Sequence, residues 1–190
     1  MENLVHKTQM NKKILLLIAL LLCVVTAFAK DDFTPKTIFL VRHAEREPDP
    51  QQDPPLNQKG VARSQELARL LAAAGIKAIY TSQYARTKQT GEPIANKLGL
   101  TVNTISLKTN PNNPKQIAED STKEVVNKIL EGPGENVLLV GHSNSIPDVI
   151  KMLGGDVVPT IDDRQFDNLF IVTVYAKGKA KVTQIKYGAE

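Results

Sequence analysis

Two histidines and two arginines stand where this sequence could do chemistry. His43 follows the apolar, β-branched run 37–41 after Arg42, and His142 follows the similar run 136–140 after Gly141. Both imidazoles therefore lie just past the carboxyl end of a strand whose composition marks it as covered on both faces. Ligands of open α/β sheets bind at that edge, where loops and helix N-termini converge. Arg86 falls at a third strand-to-helix junction, in Ser82-Gln83-Tyr84-Ala85-Arg86-Thr87. Two guanidiniums and two imidazoles on one sheet edge make an anion-selective pocket, because a planar guanidinium fork matches phosphate oxygens and always carries its charge. A metal site with Glu45 as third ligand is the rival constellation. It is disfavoured because Arg42 and Arg86 would repel a cation and a zinc site wants more neutral or anionic donors. No metal and no cofactor are expected.

The elements that must position these residues alternate from Thr37 onward, the pattern of a layered α/β domain. A strand over 37–41 is followed by an irregular, proline-rich stretch from Glu47 to Pro55. Asn57 is placed to cap a helix with apolar positions Leu67, Leu70, Leu71 and Ala74, and Gly75 is its stop. Ala78–Thr81 reads as a second strand, Thr87–Leu98 as a helix ended by Gly99, and Thr101–Leu107 as a third strand. The polar segment 108–114 reads as a loop before a helix around Ile117–Leu130, closed by Gly132-Pro133-Gly134. After the strand 136–140, Ile146, Val149, Ile150 and Leu153 form a helical stripe. Leu169–Tyr175 and Ala180–Lys186 read as two strands joined by a hairpin-like turn at Lys177-Gly178-Lys179. Ser82, Ser143 and Asn144 read first as helix caps, with hydrogen bonding to a phosphate or substrate as the second reading. The cluster Asp162-Asp163-Arg164 reads as a solvated turn.

Four segments in order resemble the histidine phosphatase superfamily, branch 1, which includes the cofactor-dependent phosphoglycerate mutases. Arg42-His43-Ala44-Glu45 stands for its RHG motif, and Pro55-Leu56-Asn57-Gln58-Lys59-Gly60 is similar to its LTxxG helix start. Ser82 with Arg86-Thr87 and Thr90 matches its SxxxRTxxT segment, and Gly141-His142-Ser143 carries its second histidine. The resemblance spans roughly residues 36–175. It implies a phosphoglycerate mutase-like three-layer sandwich with a mostly parallel central sheet flanked by helices. It also implies that His43 attacks phosphorus, that Arg42, Arg86 and His142 hold the phosphoryl oxygens, and that water then releases phosphate. The family's usual glutamate after the third strand has no counterpart in 108–114. Glu45 is therefore the candidate proton donor, with Asp49 or Asp53 as alternatives and an ion pair to Arg46 as its competing role. Asn144 is a candidate substrate contact. The expected substrate is a small-molecule phosphomonoester or a phosphorylated envelope component. A mutase-like phosphotransferase and a non-catalytic phosphate-binding module are the alternatives. The loops 47–55, 108–116 and 154–166 leave little material for a lid, so an open site is expected.

The 190-residue composition narrows the rest. Residues 1–29 hold three of the 24 basic and one of the 20 acidic side chains, together with His6 and the lone Cys23, so the remainder is nearly neutral. Without Cys23 that remainder has neither disulfides nor thiolate chemistry. It has no basic run interleaved with aromatics, which argues against nucleic acid as a partner. Asn11-Lys12-Lys13, the apolar run 14–28 and the exit Ala27-Phe28-Ala29 read as a signal peptide over 1–29, with Met10 as a plausible start. An uncleaved anchor would want about 20 apolar residues, and Leu22 is the wrong neighbour for lipidation of Cys23. The expectation is an exported single domain over 30–190, periplasmic or secreted, with no stable membrane insertion after cleavage.

Overall fold

The computed structural model describes residues 33–48 and 53–188, so the proposed signal peptide lies outside them. Among the described residues no helix is long and apolar enough to cross a membrane. The elements are β1 (Lys36–Arg42), α1 (Gln58–Leu70), β2 (Ala78–Ser82), α2 (Ala85–Leu98), β3 (Val102–Ile105), β4 (Thr109–Asn110), β5 (Asn113–Ile117), α3 (Glu119–Glu131), β6 (Asn136–Gly141), α4 (Ser145–Met152), β7 (Asn168–Ala176) and β8 (Lys179–Lys186).

Six strands form one sheet in the order β3-β2-β6-β1-β7-β8, in which only β7 runs against the rest. Alternation along the central strands explains the two covering layers. Ile38 and Leu40 of β1, with Val137 and Leu139 of β6, face Val125, Ile129, Ile146 and Ile150 of α3 and α4. Val41, Leu138 and Val140 turn the other way, onto Leu67 and Ile94 of α1 and α2. Both faces of the middle strands are thus dry, which is why their sequences read as unbroken apolar runs. This is the expected three-layer α/β sandwich.

Register does the positioning. Val41 pairs with Val140 and Arg42 with Gly141 across the parallel β1–β6 ladder, while Thr81 of β2 pairs with Val140 on its other side. The chain therefore leaves β2, β6 and β1 at one level, side by side.

Two expectations are corrected. Helix α1 ends at Leu70 rather than running on toward Gly75, and Leu70 is 40% exposed; the buried stripe is Ser64, Leu67, Ala68 and Leu71. The segment 108–114 is no plain loop, since β4 and β5 pair as an antiparallel hairpin that claims Ile117, and α3 starts only at Glu119. The hairpin is almost wholly exposed and polar, so it lacks the apolar alternation by which a strand is recognised.

Candidate active site

His43 and His142 leave adjacent strands and meet, with ring centroids 5.3 Å apart in an edge-on arrangement. The His43 amide donates to Gly141 O at 2.9 Å, which fastens the two loops to each other. The Ala44 amide donates to Thr90 Oγ1 at 2.9 Å, and that hydroxyl donates to Arg86 O at 2.7 Å, tying the same loop to α2. Both rings are buried, His43 at 4% and His142 at 8% exposure.

Hydrogen bonding fixes the tautomer of His43. Its Nδ1 lies 2.8 Å from Ala44 O, an atom that only accepts, so Nδ1 carries the proton and Nε2 presents its lone pair. Burial, reinforced by the charges of Arg42, Arg86 and Arg46, lowers the His43 pKa to about 3, although the bond to Ala44 O opposes the shift. The ring is therefore neutral at any physiological pH.

His142 is oriented by a hydroxyl relay. Thr87 Oγ1 lies 2.8 Å from Tyr84 O and 3.1 Å from Ser82 O, so its proton goes to a carbonyl. Ser82 Oγ then donates to Thr87 Oγ1 at 2.9 Å and accepts Nε2–H of His142 at 2.8 Å. Nδ1 is left as the basic nitrogen. Burial first, and then the neighbouring His43, Arg86 and Arg42, push the His142 pKa well below its ordinary value. Ser82 is thus not a helix cap but the group that aims the second histidine.

The two arginines are anchored alike. The Arg42 guanidinium stacks on Phe166 at 4.2 Å and donates through Nη1 to Asp162 O at 3.1 Å and Gln165 O at 3.3 Å. Arg86 stacks on Tyr84 at 4.2 Å. Phe166 also stands 5.9 Å from the His43 ring, and Tyr84 5.4 Å from that of His142. Rings and carbonyls hold a guanidinium without neutralising it, and the facing carboxylates stand off at 3.6 Å (Asp53 from Arg86) and 3.8 Å (Asp163 from Arg42), so an incoming anion can compete for both charges. The Nε atoms of both arginines are buried with no hydrogen-bond partner among the described residues. Two such donors beside a neutral imidazole suit a tetrahedral oxyanion, since a buried unmade N–H bond costs about 1–3 kcal/mol. Among the described residues no group of three or more His, Cys, Asp or Glu is placed to hold a metal.

A family model for the histidine phosphatase superfamily (branch 1) matches residues 38–107, from β1 through the segment that carries Arg86. Over that segment the chain is similar to the superfamily. A search of curated protein sequences returned no match, but solved structures share the fold. Phosphoglycerate mutase from Bacillus anthracis str. Sterne aligns with TM-score 0.63 at 19% identity, covering 81% of this chain and 94% of its own. The protein histidine phosphatase SixA complexed with tungstate aligns at 0.60 and 19%, covering 79% and 96%. Mycobacterial glucosyl-3-phosphoglycerate phosphatase aligns at 0.59 and 14%, covering 83% and 100%.

The remaining sequence candidates take other places. Glu45 does not pair with Arg46. It pairs with the buried Arg63, whose Nε lies 2.9 Å from Oε2 and whose Nη2 lies 2.8 Å from Oε1. Burial alone would raise the Glu45 pKa, but the hydrogen bonds and charge of Arg63, with help from Lys59, outweigh it and hold the carboxyl below its usual range. A carboxylate so stabilised is a poor acid. Arg63 also donates to Tyr187 O at 2.9 Å, and the Glu45 carbonyl accepts from the Asn57 amide, so this cluster fixes the His43 loop against α1 and the segment at Tyr187. Asn144 heads α4 without capping it by its side chain, and its Nδ2 donates instead to Lys115 O at 2.8 Å, tying the β4–β5 hairpin down. Ser143 does not cap either; its hydroxyl faces Asp163 at 3.4 Å. Asp53 accepts from the Ala85 amide at 2.8 Å and lies 3.6 Å from Arg86. Asp49 lies outside the described residues. Sequence reasoning missed Tyr84 and Phe166. Tyr84 at least stood inside the recognised SxxxRT segment, whereas nothing local marks Phe166.

Proposed function

We propose that this chain is an exported, metal-independent phosphatase that hydrolyses phosphomonoesters through a phosphohistidine at His43. The observation that carries the reading is the Nε2 lone pair of a neutral, buried imidazole on which Arg42 and Arg86 act, their own buried Nε donors having no acceptor among the described residues. Nε2 attacks phosphorus while Arg42 and Arg86 meet the charge on the equatorial oxygens, a task that metal ions perform in kinases. His142, held through Nε2 by Ser82, adds stabilisation and takes up a proton on Nδ1 as the dianion arrives. Forming the phosphoramidate divides one hard hydrolysis into two displacements. That SixA, which shares this fold, was solved in complex with tungstate supports an oxyanion as the ligand.

The substrate is read as a small phosphomonoester or a phosphorylated envelope component, met outside the cytoplasm after cleavage following Ala29. Phosphohistidine, glucosyl-3-phosphoglycerate and phosphoglycerate, the substrates implied by the names of the similar structures, fall within the range to be assayed. Loss of Glu45 to Arg63 is the observation that favours a second reading, a module that binds phosphate without turnover.

One assay separates the two. The mature chain from Lys30 should hydrolyse p-nitrophenyl phosphate in the presence of EDTA, and His43→Ala should not. An aryl leaving group of this kind needs no acid, so an inactive wild type would leave only the binding module. Activity lost to EDTA would refute the metal-independent mechanism. N-terminal sequencing of the exported protein checks the cleavage site.

A further inference from the structure

We propose that Asp163 is the catalytic acid that protonates the leaving oxygen, an assignment that rests on the phosphatase reading above. Several carboxylates among the described residues stand near the site's loops, Glu45, Asp53 and Asp163 among them, while Asp162 turns its own to Arg164. Glu45 is held on both oxygens by Arg63. Asp53 receives the Ala85 amide at the start of α2, where Tyr84 supplies no side-chain cap, and sits beside Arg86. Asp53 is thus engaged as the cap of α2 and as the neighbour of Arg86.

Asp163 is placed differently. Its Oδ1 lies 3.8 Å from Arg42 Nη2 and 3.4 Å from Ser143 Oγ, so it bridges the residue before His43 and the residue after His142. Its side chain is 92% exposed, which puts it on the solvent side of the site, where the leaving group of an in-line attack must depart. It lines a cavity of about 450 Å³ with Arg42 and Phe166. The segment that carries it is itself built into the site, because Asp162 O, Gln165 O and Phe166 all hold Arg42. Both of its polar contacts are long, so the carboxyl can turn toward a bound ester.

Substrate binding places the phosphoryl oxygens on Arg42 and the ester oxygen beside the Asp163 carboxyl, which enters the step as the acid. The His43 Nε2–P bond then forms as the P–O bond breaks, and the departing oxygen takes the proton of Asp163. In the second step the Asp163 carboxylate removes a proton from water as its oxygen attacks phosphorus and the P–N bond breaks. The acid and the neutral imidazole are regenerated.

The test compares leaving groups under single-turnover conditions. Wild type, Asp163→Asn and Asp53→Asn are assayed on 2-glycerophosphate, whose alkoxide needs a proton, and on p-nitrophenyl phosphate, whose phenolate does not. Asp163→Asn should slow release of glycerol about 100-fold or more and slow nitrophenolate release far less, with Asp163→Glu restoring part of the alkyl rate. Asp53→Asn should slow both esters alike. Equal slowing of the two esters by Asp163→Asn would overturn the assignment, as would selective loss in Asp53→Asn. A wild type inactive on p-nitrophenyl phosphate would instead overturn the phosphatase reading and the acid with it.

Discussion

Replacing His43 by glutamine should make the protein more resistant to acid unfolding, and the size of the gain can be worked out. In the folded chain His43 stays neutral until about pH 3 because it is buried among cations. In the unfolded chain an ordinary imidazole protonates near pH 6.5. Between those values the unfolded state binds more protons, so stability falls as pH falls and the loss saturates only near pH 3. Going from pH 7.5 to 4.5, this one ring accounts for about 2.5–3 kcal/mol. Glutamine cannot titrate, so His43→Gln should lose about that much less over the same range. The carboxylates, which titrate in both proteins, cancel from the comparison. Urea denaturation followed by circular dichroism at pH 7.5, 6.0 and 4.5 reads the difference directly. Parallel loss of stability in the two proteins would mean that His43 is not buried neutral, and the argument for a ready nucleophile would fail.

Other perturbations follow from the same contacts. Ser82→Ala removes the acceptor of His142 Nε2–H and leaves a buried N–H without a partner, so it should cost about 1–3 kcal/mol of stability. It should also lower kcat by roughly 10- to 100-fold through loss of aim, whereas Ser82→Thr, which keeps a hydroxyl, should recover much of both; steady-state kinetics and thermal melts check this. Gly60→Ala would place a Cβ in direct collision with the Glu45 carbonyl oxygen. Backbone cannot yield as a flexible side chain can, so a loss of about 3 kcal/mol is expected, with kcat falling because the displaced loop carries His43. An unchanged melting temperature would contradict the close approach of α1 to that loop.

The parts of the site that could be read from the chain are those fixed by strand ends. Arg42 ends a strand and His43, His142 and Arg86 follow one, and a doubly covered strand announces itself by an apolar run whose end is unmistakable. The covering helices were legible in part, since Leu67 and Leu71 in one, and Ile146, Val149, Ile150 and Leu153 in another, recur at helical spacing. What stayed hidden depends on distance in three dimensions. Arg63 sits on a helix that looks merely polar on that face, and only folding shows that it reaches Glu45 18 positions earlier. Phe166 lies in a polar stretch where nothing local signals that Arg42 will stack on it. Ser82 and Ser143 misled because a hydroxyl beside a helix start suits a cap and a neighbouring side chain equally well. The β4–β5 hairpin was invisible because its strands bury almost nothing.

The central claim is a covalent bond between phosphorus and Nε2 of His43. Mixing the mature enzyme with radiolabelled phosphomonoester and quenching in alkali within milliseconds should trap a phosphoramidate, stable to base and labile to acid. Peptide mapping should place the label on His43, and His43→Gln should take up none. Label on another residue, or turnover with no label at the earliest times, would contradict the account.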